Sequence, residues 1–340
     1  MGDLALPEPV HPGLWPVVLG AFRLDGRLVL AVAPRAAATL VVEPFLARFA
    51  DHAWIITVRS ADVTACPRPK SPNPVLYAVR MAVAMDELIT DLRAETGDLE
   101  RLLGPEVWDV PTPAEGWTVR DQITHLAWFD DAAVRAATAP EAFQAGVGAM
   151  IAEGLDTDLL VKERRSMPGE EVLTWFRAAR RRMIDVLAGL DPKARIPWYG
   201  PEMGVASFTT ARLMETWAHG QDVADGLGAG REPSDRLRHI AQIGVRALPW
   251  SFTVHGRPVP AEPVRVELTL PGGALWTAGP EGAADVVRGA VLDFCLVVTQ
   301  RRHPADIDLV VSGPVAGEWM EIAQAFAGPP GTGRRPGQFA

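Results

Sequence analysis

The sequence predicts a mainly helical protein: an up-down four-helix bundle over residues 85–248, then a small α+β domain over residues 249–328. Two observations predict it. From Met85 onward, apolar residues recur at helical spacing in long stretches separated by Pro/Gly loops. Beyond Pro249 the pattern changes, and Val264-Arg265-Val266-Glu267-Leu268-Thr269-Leu270 alternates with a period of two. At 340 residues, the chain is long enough for two domains of ordinary size with some surplus.

That surplus lies at the N-terminus. Prolines at 7, 9, 12, 16, 34, 44, 67, 69, 72 and 74 interrupt every element that might form over residues 1–84. The apolar runs 28–32 and 53–58 have strand character but no evident partner. The segment reads as a poorly ordered or mis-started leader, with the native start at Met81 or Met85, or else as a strand-rich cap. The first clear helix places Leu88, Ile89, Leu92, Leu99, Leu102 and Leu103 on one face and ends at Gly104-Pro105. Thr118 with Asp121 forms a capping-box pattern that opens a second helix reaching about Ala137. A helix from Pro140 fades near Gly154, and residues 155–168 read as a loop with a short helical piece. Glu170 to Leu190 is strongly amphipathic; Arg177, Arg180, Arg181 and Arg182 read as its solvated face.

A Pro/Gly loop over residues 191–206 precedes the next helix, which Ser207 or Thr209 would cap and Gly226-Leu227-Gly228 would end. The bundle's last helix is expected from Ser234-Asp235 to Leu248, stopped by Pro249. In the second domain, Pro271-Gly272-Gly273 turns the strand at 264–270 into a hairpin partner at 274–277. A helix follows over 284–299, then a strand at 307–311 and a helix over 315–326. From Pro329 the Gly/Pro/Arg tail, 329–340, is expected to be disordered.

Composition removes several function classes. A net charge of -9 argues against a large nucleic-acid footprint. No run of about 18 uncharged apolar residues is present, so no membrane span is expected. The N-terminus lacks a basic stretch before an apolar core, which points to the cytoplasm. Two cysteines, Cys66 and Cys295, build no disulfide framework, and Cys295 sits in an apolar run as a buried core residue. Neither a phosphate-binding Gly-rich loop nor a Gly-x-Ser-x-Gly elbow is found.

The chemistry concentrates in one stretch, residues 209–222. On a helix, Glu215 and His219 are one turn apart on the same face, where a carboxylate and an imidazole can grip one divalent cation. A third ligand must come from another helix, and His125, beside Trp128 and Phe129, is the candidate. Two histidines, one carboxylate and an open fourth position make a known catalytic zinc set. By spacing alone, Glu-x-x-x-His is equally a surface pair or a core histidine. Asp222 orients a ligand or is a helix-surface Asp; Asp130 and Asp131 read as surface charges. Arg301 and Arg302 are cationic anchors for an acidic substrate or complements to a helix dipole.

The block Gly116-Trp117-Thr118-Val119-Arg120-Asp121-Gln122-Ile123-Thr124-His125-Leu126 resembles the second-helix motif of the DinB-like metal-binding four-helix bundles. Its nearer likeness is to the mycothiol-dependent maleylpyruvate isomerase family, whose fourth-helix Glu-x-x-x-His-Gly-x-Asp is matched by residues 215–222. The resemblance covers about residues 85–248. It extends more loosely to that family's smaller C-terminal domain through residues 288–302 and 317–319, and is most similar to an uncharacterised actinobacterial branch. It implies a divalent metal, zinc, on His125, Glu215 and His219, with mycothiol as thiol cosubstrate and a small electrophilic substrate as partner. The function it implies is a zinc-dependent thiol transferase or isomerase. The alternatives are a non-catalytic metal-stabilised bundle acting as a binding or regulatory module, and a bundle whose site has lost its reaction.

Overall fold

A computed structural model describes residues 17–24, 27–33, 74–152, 157–191 and 193–339. Two units separate, Met1–Ala78 and Val79–Ala340. In the first, β1 (Val17–Leu24) and β2 (Arg27–Ala33) form an antiparallel hairpin, so the apolar run at 28–32 does have a partner strand. The rest of the expected leader, with Cys66, His11, His52 and the apolar run at 53–58, lies outside the described residues.

Helix α1 (Pro74–Glu100) starts earlier than the pattern at Met85 suggested. Then come α2 (Val119–Thr138), α3 (Pro140–Ala152), α4 (Thr157–Lys162) and α5 (Gly169–Gly189). A short hairpin of β3 (Arg195–Ile196) and β4 (Met203–Gly204) leads into α6 (Val205–Leu227). That helix begins at Gly204, not at Ser207 or Thr209; the Thr209 hydroxyl instead donates back to the Val205 carbonyl inside the helix. Gly228, in the left-handed region at φ 60°, ends it.

The α2 start shows why local sequence sets element boundaries. The Asp121 carboxylate accepts the Thr118 backbone N–H at 2.9 Å, the return half of a capping box. Arg165 then clamps the same carboxylate with Nε at 2.9 Å and Nη2 at 2.8 Å, so the buried Asp121 also ties α2 to the segment before α5. Helices α2 and α5 pack through Val119, Ile123, Leu126, Val172 and Phe176.

The remaining elements are α7 (Leu237–Arg246), α8 (Leu248–Val254), β5 (Val264–Thr269), β6 (Leu275–Ala278), β7 (Asp285–Ala290), α9 (Val291–Val298), β8 (Val310–Ser312) and α10 (Pro314–Ile322). The sheet order is β6-β5-β7-β8, with β7 parallel to β5 and both edges antiparallel. Two expectations change. Pro249 does not stop a helix; it sits in the first turn of α8, where its missing N–H costs nothing. The helix expected over 284–299 is split: Asp285–Ala290 is a central strand, and only Val291–Val298 is helical.

One apolar core joins the bundle to this sheet. It runs from Leu88 and Leu92 through Met214 and Ile240 to Val266, Phe294 and Trp319. Cys295 lies within it, its thiol donating to the Leu237 carbonyl at 3.4 Å. Residues 329–339 contain no helix or strand, but they are tied down, against the expectation of a disordered tail: the Gly331 N–H reaches Gln324 and the Gly337 N–H reaches Asp306.

Candidate metal centre

The fold brings His125 of α2 against Glu215 and His219 of α6. Glu215 Oε2 lies 3.2 Å from His219 Nε2 and 3.6 Å from His125 Nε2. One donor atom from each of the three residues falls within 4.8 Å of the others. The side chains of His125, Glu215 and His219 are 12%, 25% and 12% exposed, so the cluster is sunk into the bundle yet open on one side. Among the described residues, no fourth His, Cys, Asp or Glu joins it.

Aromatic rings wall the cluster. The Trp117 ring lies nearly parallel to His219, 6.0 Å between centroids, and 5.4 Å from His125. Phe129 is 4.5 Å from His125 on the other side and leads to Trp198 and Tyr199. Burial chiefly, then the like charge of His219, lowers His125 from 6.5 to about 4, against the pull of Glu215. Burial alone would raise the Glu215 carboxyl; the hydrogen bonds and charges of the two histidines outweigh it and hold the group well below its usual range.

A residue that sequence reasoning passed over sets the orientation of His219. The buried Gln122 Nε2 donates to Thr112 Oγ1 at 2.8 Å, and Thr112 Oγ1 donates to the Trp117 carbonyl at 2.9 Å. This turns the amide oxygen of Gln122 toward His219 Nδ1, 2.5 Å away. His219 therefore donates from Nδ1, which leaves Nε2, the nitrogen facing Glu215, as the one that would ligate a cation on losing its proton. The only sequence clue was position: Gln122 lies one turn before His125, on the same helix face.

Other expected site residues are employed elsewhere. Asp222 is neither a ligand partner nor a surface group; buried, it accepts from Arg301 Nη2 at 2.8 Å and Arg334 Nη2 at 2.5 Å. Arg301 also donates to the Ala218 carbonyl, and Arg302 pairs with Asp225, so both arginines tie the C-terminal segment to α6 instead of standing free as anchors for an acidic substrate. Asp130 is fully buried between Arg180 and Arg212, so neither Asp130 nor Arg180 belongs to a solvated face. Asp131 accepts from Trp175 Nε1 and Arg182.

Residues 89–224 match the family model described as mycothiol maleylpyruvate isomerase N-terminal domain. Residues 260–312 match one described as wyosine base formation. Two uncharacterised proteins of Mycobacterium tuberculosis, from strains CDC 1551 and H37Rv, are each 45% identical over 250 residues, covering 72% of this chain and 97% of theirs. A crystal structure of the mycothiol-dependent maleylpyruvate isomerase aligns with a TM-score of 0.46 at 16% identity, over 67% of this chain and 92% of that one; a point mutant of it gives 0.45. The N-terminal family match takes in His125, Glu215 and His219, so residues 89–224 belong to the mycothiol maleylpyruvate isomerase N-terminal domain family, and the chain as a whole belongs to one family with the two mycobacterial proteins.

Proposed function

We propose that the protein binds one divalent metal ion, zinc, through His125, Glu215 and His219, and works as a thiol transferase or isomerase with mycothiol as cosubstrate. The observation that carries this reading is the spacing of the three donors. Ligands about 2.0–2.1 Å from a tetrahedral zinc stand roughly 3.3 Å from one another. The Glu215 oxygen is 3.2 and 3.6 Å from the two imidazole nitrogens, close to that spacing, and all three donors lie within 4.8 Å of one another.

A bound divalent cation favours the deprotonated form of a thiol brought to its open position. The protein's own residues prepare that position. His125 is held neutral at physiological pH, and Gln122 fixes the His219 tautomer. The rings of Trp117 and Phe129 pack against the two imidazoles. Among the described residues no thiol competes: burial pushes Cys295 well above its usual range, and its place is in the core. The missing fourth ligand among the described residues supports an enzyme over a purely structural metal module.

The test is metal analysis followed by activity. Purified protein is expected to carry about one equivalent of zinc per chain. His125→Ala, Glu215→Ala and His219→Ala are each expected to abolish it while the chain stays folded. Full metal content in any of the three would remove that residue from the site. Metal-loaded protein is then expected to turn over electrophiles only when the thiol is supplied, and turnover without thiol would overturn the cosubstrate.

A further inference from the structure

Two buried guanidinium groups beside the candidate metal site share one carboxylate. Asp130 on α2 carries two guanidinium groups, Arg180 Nε from α5 at 2.6 Å and Arg212 Nη2 from α6 at 3.1 Å. The other bonds of Arg180 go to the neutral hydroxyls of Thr96 and Thr216, at 2.8 Å each. Glu100, the next carboxylate acting on Arg180, is bonded to Arg177. Among the described residues Arg212 pairs with no second carboxylate, and its buried Nε lacks a hydrogen-bond partner. A buried guanidinium with an unsatisfied N–H is unfavourable. Holding the helices together does not require this one, because Arg180 alone already joins α5 to Asp130 of α2, Thr96 of α1 and Thr216 of α6.

The position of Arg212 suggests its use. It precedes Glu215 by three residues, one turn along the same face of α6. Its guanidinium lies 6.0 Å from the centre of the Phe129 ring, which in turn lies 4.5 Å from His125. Positive charge placed in a buried site acts over such distances far more strongly than in water.

We propose that Arg212 is a positioning residue that makes the open position at His125, Glu215 and His219 select an anion, above all a thiolate, over a neutral ligand. The inference rests on the metal reading above and deepens it. Three full-length proteins loaded with cobalt(II) test it: wild type, Arg212→Met, which keeps the bulk without the charge, and Arg212→Lys, which keeps the charge. Each is titrated with 2-mercaptoethanol, followed by the sulfur-to-cobalt charge-transfer band, and with imidazole as a neutral ligand.

Arg212→Met is expected to weaken thiolate binding about tenfold and leave imidazole binding unchanged. Arg212→Lys is expected to track wild type. Unchanged thiolate affinity in Arg212→Met, or equal weakening of both ligands, would overturn the proposal and make Arg212 a packing residue. If Arg212→Met does not fold, Arg212→Gln takes its place in the same comparison. Failure of wild type to take up cobalt would sink the metal reading itself, an outcome distinct from cobalt binding without anion selectivity.

Discussion

Gln122 shows how much a single uncharged side chain can decide. It bridges Thr112 and His219, so that the imidazole reaches the cluster in one tautomer and one orientation. Groups that hold a metal-ligating histidine this way typically contribute 10–100-fold in affinity. Gln122→Leu, matched in size but unable to accept, is therefore expected to weaken zinc binding by about that range. Competition with a chromophoric chelator reads it out, and an unchanged affinity would mean that His219 needs no such support. The titration of His125 gives a second expectation, for the metal-free protein. Its lowered value means that between about pH 6.5 and 4 the unfolded chain takes up a proton that the folded chain refuses. Stability is thus full above that window and falls as the pH drops through it, by on the order of 3 kcal/mol. Glu215, held low in the folded state, adds to the loss further into acid. Thermal melts of metal-free wild type and His125→Gln should converge as the pH falls toward 4; parallel curves would refute this assignment. The triad itself was legible in the sequence, because i and i+4 on a helix is local geometry and a third ligand could be sought. Gln122 and Asp130 were not, since their partners lie 97, 50 and 82 residues away and only the fold brings them together.

Elements were legible where periodicity ran long and ambiguous where it was short. Helices α2, α5 and α6 carry sustained apolar spacing, and the sequence located each to within a few residues. The stretch from Asp285 to Val298 is apolar almost throughout, which is equally a buried strand or a buried helix. The structure divides it at Ala290: the β-branched pair Val286 and Val287 enters the sheet beside β5, and Gly289 takes φ 153° where Leu309 and the Asp308 carbonyl crowd the backbone. Close approach also governs the start of α5. A Cβ at Gly169 would stand 2.2 Å from the ring of the buried Trp108, which is fixed in the α2–α5 core. Gly169→Ala is accordingly expected to destabilise the protein by about 1–3 kcal/mol, although alanine is the better helix former. Chemical denaturation measures it, and a stabilised variant would show that Trp108 moves aside freely.

At the scale of the molecule, α6 and the C-terminal segment are held to each other by charge as well as by the shared core. Asp222 lies on α6 one turn beyond His219, and both Arg301, after α9, and Arg334, in the final irregular segment, converge on it. No sequence pattern announced this; a Gly/Pro/Arg tail resembles any solvated terminus until its arginine is seen to meet a buried carboxylate. Neutralising that carboxylate takes from two largely buried guanidinium groups their direct ion-pair partner, a defect that typically costs about 3–5 kcal/mol. Asp222→Asn is therefore expected to lower the unfolding midpoint and, before global unfolding, to release residues 329–339. Trypsin reports on the second effect directly. Cleavage after Arg334 requires that side chain to leave Asp222 and enter the protease, so in the wild type it should be slow and in Asp222→Asn markedly faster. The other candidate route to release, loss of the Gly331–Gln324 and Gly337–Asp306 bonds, leaves Arg334 in place and should accelerate cleavage little. Equal cleavage rates in wild type and Asp222→Asn would mean that the tail is held by its backbone contacts, with Asp222 serving Arg301 alone.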